Sequence, residues 1–256
     1  MRIASWNVNS VKARLHVVDD WLPKADIDVL LLQELKGEVF PFEAFEKHGY
    51  KHHIALGQKS YNGVAIISRH PITDEIRGLP GDETDTQARF IGGTVNGIKI
   101  FNLYLPNGNP KETEKFPYKL GWMRRLHDFA ALQVKSELPV VFAGDYNVIP
   151  QPVDAKRPDA WVNDALFSPE ARAAFQGLLN LGYTDAFRAL HPDTQAFTFW
   201  DYFAGNFEKN NGIRIDHFLL SPEALKKLKS VRIDKGPREM EKASDHTPIF
   251  IDLKVQ

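Results

Sequence analysis

Apolar run after apolar run in this 256-residue chain leads into a carboxylate or an amide. Val29-Leu30-Leu31-Leu32 is followed by Gln33-Glu34, and Val140-Val141-Phe142-Ala143 by Gly144-Asp145-Tyr146-Asn147. Ile213-Arg214-Ile215 leads into Asp216, and Ile3-Ala4-Ser5-Trp6 into Asn7 and Asn9. In Ser244-Asp245-His246 the polar group stands just before the apolar run at 249–253. A polar residue where a strand leaves the core is ordinary, so the reading rests on the repetition. If these ends meet at one edge, Glu34, Asp145, Asp216 and Asp245 repel one another unless a cation neutralises them. Oxygen donors with Asn nearby suit Mg²⁺ or Mn²⁺, and the absence of cysteine argues against a softer metal. His246 is singled out among the nine histidines because Asp245 precedes it and Asp216 is a second candidate partner. A carboxylate against imidazole fixes its tautomer and raises its pKa, which makes a proton carrier or a phosphate contact. A G-x-S-x-G elbow, H-E-x-x-H, a Walker A loop and G-x-G-x-x-G are all absent, which removes serine hydrolase, zincin, P-loop and dinucleotide-binding readings.

Positioning those residues takes many short strands. Strand-length apolar runs lie at 3–6, 29–32, 64–67, 98–105, 140–143, 213–220 and 249–253. Helical periodicity appears at Val11, Leu15, Val18 and Leu22, and again at Trp122, Leu126, Phe129 and Ala130. Ser168-Pro169-Glu170 and Ser221-Pro222-Glu223 each place a capping hydroxyl before a proline suited to the first helical position. The first of these helices should run to Leu181, with Gly182 as its stop. Residues 149–162, with Pro150, Pro152 and Pro158, read as a surface loop. Some runs are too far apart for hairpins, whereas 65–68, 91–95 and 99–104 are close enough to pair antiparallel. The expected class is α/β (or α+β): mixed sheets packed face to face with helices outside, in a single domain over 1–256.

Composition narrows the function classes. Hydrophobic residues make up 43% and charged residues 25%, which is globular. With 32 Lys+Arg against 33 Asp+Glu the net charge is −1, so a histone-like coat for a polyanion is not favoured, although a local basic face remains open. Without cysteine there are no disulfides, no thiolate catalysis and no Cys-ligated zinc or iron–sulfur site. No run approaches the ~18 apolar residues of a membrane span, and the opening Met1-Arg2-Ile3-Ala4-Ser5-Trp6-Asn7 lacks the apolar stretch of a signal peptide. The expected setting is the cytoplasm.

In order along the chain stand Trp6-Asn7-Val8-Asn9, Leu32-Gln33-Glu34, Tyr61-Asn62-Gly63-Val64-Ala65 and Asn102-Leu103-Tyr104-Leu105-Pro106-Asn107-Gly108. Gly144-Asp145-Tyr146-Asn147, Phe197-Thr198-Phe199-Trp200-Asp201-Tyr202, Arg214-Ile215-Asp216-His217 and Ser244-Asp245-His246 follow. Together they make the chain resemble the exonuclease III/AP endonuclease family of DNA-repair phosphodiesterases, within the endonuclease/exonuclease/phosphatase superfamily. The resemblance implies a four-layered α/β sandwich with a metal site at one edge. It implies Glu34 as the principal Mg²⁺ ligand (Mn²⁺ being the alternative), with Asn7 and Asp245 beside it and Asp145 and Asn147 close to the ion. Asp145 would activate the attacking water or protonate the leaving oxygen, and Asn147 would hold that water or the developing phosphorane. Asp216 would orient His246, and His246 and Tyr104 would contact the scissile phosphate.

For DNA the chain offers cations and flat rings. Residues 111–125 hold Lys111, Lys115, Lys119, Arg124 and Arg125 against Glu112 and Glu114; residues 226–242 are basic on balance as well. Either stretch reads as a solvated face or as a phosphate contact, and the first directly follows Asn107-Gly108. The aromatic cluster Phe199, Trp200, Phe203 and Phe207 should by itself be mostly core, whereas the resemblance implies that Asn9, Arg89, Lys119 and Trp200 touch substrate. It also implies that Phe199, Ile213 and Ile215 line an apolar pocket for an extrahelical deoxyribose, and that Phe203 wedges into the duplex. Family members with strong abasic-site incision tend to have a small residue before the segment matching Phe167-Ser168-Pro169-Glu170; here it is Leu166, which would favour trimming of 3′ ends. The resemblance thus implies a monomeric Mg²⁺-dependent 3′→5′ exonuclease on double-stranded DNA with nicks, 3′ ends or abasic sites. 3′-Phosphatase or 3′-phosphodiesterase activity, and AP endonuclease activity, would accompany it. Two other readings are a superfamily phosphatase acting on lipid or inositol phosphates, and a non-catalytic DNA-binding protein.

Overall fold

Along residues 1–255, which the computed structural model describes, one strand pattern runs twice. First come β1 (Arg2–Asn7), α1 (Val11–Ala25), β2 (Val29–Gln33), α2 (Glu43–Glu46), β3 (His52–Leu56) and β4 (Val64–Ser68). β5 (Thr73–Arg77), β6 (Phe90–Val95), β7 (Ile98–Tyr104), α3 (Lys115–Gln133) and β8 (Val140–Asp145) follow. Next are α4 (Pro169–Asn180), β9 (Thr184–Asp185), α5 (Ala186–Leu190) and β10 (Asp216–Leu220). The remaining elements are α6 (Pro222–Leu225), β11 (Leu228–Ile233), α7 (Gly236–Glu239) and β12 (Ile249–Leu253).

The strands form two six-stranded sheets, ordered β11-β12-β1-β2-β4-β3 and β5-β6-β7-β8-β10-β9. The orders correspond position by position. In each sheet one parallel pair, β1–β2 or β7–β8, is joined by a crossover helix, and the other neighbours are antiparallel. An aliphatic layer that includes Ile3, Leu31, Ile66, Ile100, Val141 and Ile251 fills the space between the sheets. The outer face of the first sheet packs on Val18, Trp21 and Leu22 of α1. That of the second packs on Trp122, Leu126 and Phe129 of α3 and on Phe175 and Leu178 of α4. This is the four-layer α/β sandwich expected from the sequence.

The helix punctuation reads as expected. Ser168 Oγ accepts from the Ala171 N–H at 3.1 Å, α4 ends at Asn180, and Gly182 follows with φ 112°. Two expectations need correction. Residues 65–68 do not pair with 91–95 and 99–104: β4 lies in the first sheet between β2 and β3, whereas β6 and β7 pair in the second. Of the run 213–220 only Asp216–Leu220 is strand, since Ile213 makes single bridges to Phe199 and Ala155 as the chain leaves the sheet. Among the described residues no helix is long and apolar enough to cross a membrane.

Arg214, in that bridging segment, is fully buried. It donates from Nε to Asp154 (2.7 Å), from Nη2 to Asp185 (2.8 Å) and from Nη1 to His217 Nδ1 (3.0 Å). Because guanidinium only donates, His217 Nδ1 accepts, and its Nε2–H donates to the Val148 carbonyl at 2.9 Å. Burial, reinforced by the adjacent Arg214 cation, pushes His217 down to about 4. A base held below its ordinary value contributes stability that is complete above that value, near 6.5, and is lost as pH falls toward 4. The loss is expected to reach roughly 3 kcal/mol. Urea unfolding at pH 7.5 and 4.5 checks it: His217→Gln should flatten the acid slope, and an unchanged slope would remove His217 as its cause.

Candidate active site

Side chains alternate faces along a strand, so every second residue points between the sheets. Followed toward one edge, this inner face changes from hydrocarbon to polar. On β7 it runs Ile98, Ile100, Asn102, Tyr104, and on β8 Val141, Ala143, Asp145. On β1 it runs Ile3, Ser5, Asn7, and on β10 Leu220, Phe218, Asp216. Register then brings the polar ends together, with Tyr104 beside Asp145 and Asp145 beside Asp216.

His246 enters this row from the segment before β12. Its Nδ1 bonds Asp216 Oδ2 at 2.8 Å and its Nε2 lies 3.6 Å from Asp145 Oδ2, with all three residues buried. Burial alone would lower the imidazole pKa, but Asp216 and then Asp145 outweigh it and hold His246 well above the ordinary histidine value. Burial pushes the Asp145 carboxyl up, with Asp216 adding to the rise and His246 opposing it. Asp145 also accepts from Asn7 Nδ2 and from the Asn147 N–H, both at 2.9 Å. Asp145, Asp216 and His246 offer ligand atoms within 4.8 Å of one another, a buried group that could hold a metal ion. Asp216 Oδ1 is buried without a hydrogen-bond partner.

Glu34 stands across the rim, just past β2. It accepts from the Tyr104 hydroxyl at 2.6 Å, and Lys36 Nζ lies 4.0 Å away. Burial, with Glu34 and then Asp145 adding to it, raises the Tyr104 phenol well above its ordinary value, so it stays a donor. Glu34 has φ 56°, a conformation costly outside glycine, and hydrogen bonds hold it there. Ser10 N donates to its carbonyl (2.8 Å), and the next two amides bond Gly63 (3.2 Å) and Asn62 (2.9 Å). Asp245 accepts from Asn9 Nδ2 at 3.1 Å, and the Asn9 N–H donates to Asn7 Oδ1 at 3.0 Å.

Two loops close the far side. Asn107 Nδ2 donates to Asn147 Oδ1 at 3.2 Å, and Lys119 Nζ donates to the carbonyls of Asn147 (2.6 Å) and Asn107 (3.1 Å). Lys119 is fully buried, so the expectation that it contacts DNA is corrected: it ties the two loops together from beneath. Burial pushes its pKa down to about 7, offset in part by Asp145 and Asp164. Arg125, of the same basic stretch, faces Asp85 at 2.7 Å and bonds the Leu79 and Pro80 carbonyls. From that stretch it is Lys115 that lines a cleft of about 630 Å³, which runs from Glu34 and Tyr104 past Lys36, Arg89 and Asn107. The Arg89 guanidinium lies 4.8 Å from the Tyr104 ring centroid.

On the other flank the Phe199 ring sits edge-on to His246, with centroids 5.0 Å apart. It packs on a cluster of Ile149, Ala155, Leu166, Phe167, Ile213 and Ile215, which puts Leu166 beside the residues read as pocket wall. Trp200 is fully buried, its Nε1 donating to Asn210 at 3.3 Å, so its expected contact with DNA is corrected as well: it is the core of the 200–210 loop. Arg238 braces that loop from over Tyr202 and Phe207, while Phe203 projects from it at 77% exposure. Helical spacing from Trp122 and Leu126 does put Lys119 on the buried face of α3, but its charge reads as surface, and Trp200 belongs to an aromatic cluster whose ordinary reading is core. The bracing role of Arg238 had no signal in a segment read only for its charge.

A two-sheet sandwich with a buried carboxylate–imidazole–carboxylate row and oxygen donors at one rim is the layout of a hydrolase that works on phosphoesters. Sequence comparison agrees, matching residues 4–246 to the Endonuclease/Exonuclease/phosphatase family, and the chain belongs to it. It is 34% identical to exodeoxyribonuclease III of Haemophilus influenzae, over 99% of this chain and 100% of that one. An AP endonuclease from Archaeoglobus fulgidus superposes with a TM-score of 0.95 at 37% identity, covering 100% of both chains. The 3′ phosphatase NExo from Neisseria, bound to a product DNA hairpin, gives 0.96 at 39% identity over 99% of each.

Proposed function

We propose that this chain is a Mg²⁺-dependent DNA-repair phosphodiesterase of the cytoplasm, acting as a monomer on 3′ ends, nicks and abasic sites of double-stranded DNA. The observation that carries the reading is the edge at which the inner faces of both sheets turn polar, with His246 between two buried carboxylates. The oxygen donors there suit a hard cation. His246 is the weakest ligand of the set: Nδ1 is committed to Asp216, and as imidazolium it has no lone pair to give. Glu34, with Asn7 and Asp245 and with Asp145 and Asn147 nearby, would hold the ion. Bound there, Mg²⁺ supplies positive charge to the phosphate oxygens.

The chain's own groups perform the proton work. Asp145, a stronger base for being buried, accepts the proton of the attacking water, and Asn147 orients that water from the adjoining loop. His246, kept protonated by Asp216, and the Tyr104 hydroxyl donate to phosphate oxygens as charge develops on them; the P–O bond to the leaving oxygen then breaks, and that oxygen and Asp145 exchange protons with solvent, the one gaining and the other losing one. Lys36, Arg89 and Lys115 along the cleft offer charge to flanking phosphates, and the half-buried Asn9 contacts the backbone from the other side. Phe199 with Ile213 and Ile215 forms the apolar pocket wall, and the exposed Phe203 is the wedge.

Cleavage of a blunt duplex, a nick bearing a 3′-phosphate and an internal tetrahydrofuran analogue, with and without Mg²⁺, tests the reading. Metal-dependent cleavage lost in Glu34→Ala supports it; no cleavage of any duplex overturns it in favour of another phosphoester substrate. Leu166 decides the ranking among substrates. As a bulky wall residue it should hinder an internal abasic nucleotide more than a frayed 3′ end. Leu166→Gly is expected to raise internal cleavage about tenfold relative to 3′-phosphate removal. An unchanged ratio would clear Leu166 of any part in the choice.

A further inference from the structure

Below the catalytic edge the layer between the sheets contains one polar contact that the chemistry does not use. Asn102 of β7 in the second sheet donates from Nδ2 to the carbonyls of Leu32 (2.9 Å) and Ala65 (2.8 Å), both in the first sheet. Gln33 of β2 reaches back, donating from Nε2 to Asn102 Oδ1 at 2.7 Å and to Ser5 Oγ at 3.1 Å. Asn102, Gln33 and Ser5 are fully buried, and Gln33 Oε1 has no partner. A buried amide left partly unsatisfied is a poor way to gain stability where neighbouring positions are aliphatic.

What the contact supplies is direction. Aliphatic packing between two sheets has little preference for one lateral position, whereas hydrogen bonds to two fixed carbonyls do. The two residues also stand next to the groups that face each other across the rim. Gln33 precedes Glu34, and Asn102 lies one inner-face step below Tyr104, whose hydroxyl bonds Glu34 at 2.6 Å. We propose that Gln33 and Asn102 are positioning residues: their inter-sheet amide bridge sets the separation between Glu34 on one sheet and Tyr104 and Asp145 on the other. The proposal rests on the phosphodiesterase reading for its consequence in rate, because a displacement of ~1 Å at a catalytic site can lower a rate about a hundredfold.

The test replaces both amides by apolar groups of similar shape, Gln33→Met with Asn102→Leu, which removes the bridge while limiting the loss of stability. The double variant is expected to melt near the wild type, to keep KM for a 3′-phosphate duplex within about twofold, and to lose kcat about fiftyfold. Gln33→Met alone keeps both Asn102 donations to the first sheet, so its kcat should fall by only about threefold. It also serves as the readable variant if the double does not fold. Wild-type kcat in the double variant, a loss confined to KM, or a loss that merely tracks the unfolded fraction would overturn the proposal. A crystal structure of the double variant gives a readout free of activity, since the two sheets should be displaced at the rim and unchanged sheets would again overturn it. If the wild type cleaves no duplex, the functional reading fails while that displacement still decides the bridge.

Discussion

Replacing Glu34 by alanine is expected to lower kcat for cleavage of a 3′-phosphate duplex by roughly a thousandfold, the largest effect of any single substitution in this chain. The site explains the size. Glu34 is the carboxylate that faces the row from the opposite sheet, and its backbone is held at φ 56° by bonds on both sides. Neither neighbour can substitute for it: Lys36 is cationic, and the Tyr104 hydroxyl is a neutral donor. Because the side chain is partly exposed and its amide bonds come from backbone, the variant should fold. Two measurements separate a metal ligand from a structural residue. Addition of Mg²⁺ should raise the melting temperature of the wild type, by mass action on the folded state, and leave that of Glu34→Ala unchanged. Mn²⁺ binding followed by electron paramagnetic resonance should weaken in parallel. Retained metal stabilisation alongside lost activity would move the ion to the remaining donors and make Glu34 a substrate contact.

The parts of the site that were legible in sequence are those placed at strand ends. A period of two and a sudden change from aliphatic to polar predict that Asp145 and Asn7 end buried strands, and register does the rest; Asp216 instead opens β10, because the run before it is not strand. Edge strands gave no such signal. β5 reads Thr73-Asp74-Glu75-Ile76-Arg77 with four of five residues exposed, and β3 and β11 are half-polar because only one side of each is covered. The four carboxylates meet at one rim, as the strand ends imply, but in two groups. Asp145 and Asp216 share His246, whereas Glu34 and Asp245 are held by Tyr104 and Asn9, a division set by which sheet each strand joins. Lys119 shows the deeper limit. Its spacing from Trp122 and Leu126 puts it on the buried face of α3, yet a lysine among lysines reads as surface, and it is the approach of two loops, each offering a carbonyl, that makes its burial tenable.

Asp216→Asn is expected to reshape the pH–rate profile as well as to lower the rate. With Asp145 as base, activity rises as pH climbs through its pKa, which burial places above the ordinary carboxylate range. With His246 as the charged donor, activity falls as pH passes a pKa held above the ordinary imidazole value by Asp216 and Asp145 against the effect of burial. The profile is therefore a bell whose alkaline side depends on a charge 2.8 Å from His246 Nδ1. Asparagine in that place removes the charge while keeping an acceptor, so the imidazole loses its largest support and its pKa falls. The alkaline limb moves toward neutral pH. Asp216 also raises Asp145, so the acid limb moves in the same direction, though by less, because burial dominates that shift. The bell should shift toward acid and narrow, with kcat at pH 8 down by roughly a hundredfold or more. The proton count gives the same sign in a second measurement. In the wild type the His246 Nδ1 proton, bonded to a buried carboxylate, should exchange slowly and resonate far downfield in the NMR spectrum, and in Asp216→Asn it should exchange faster and move upfield. A lowered rate with an unmoved alkaline limb would assign that limb to another group, leaving Asp216 to orient the imidazole without setting its charge.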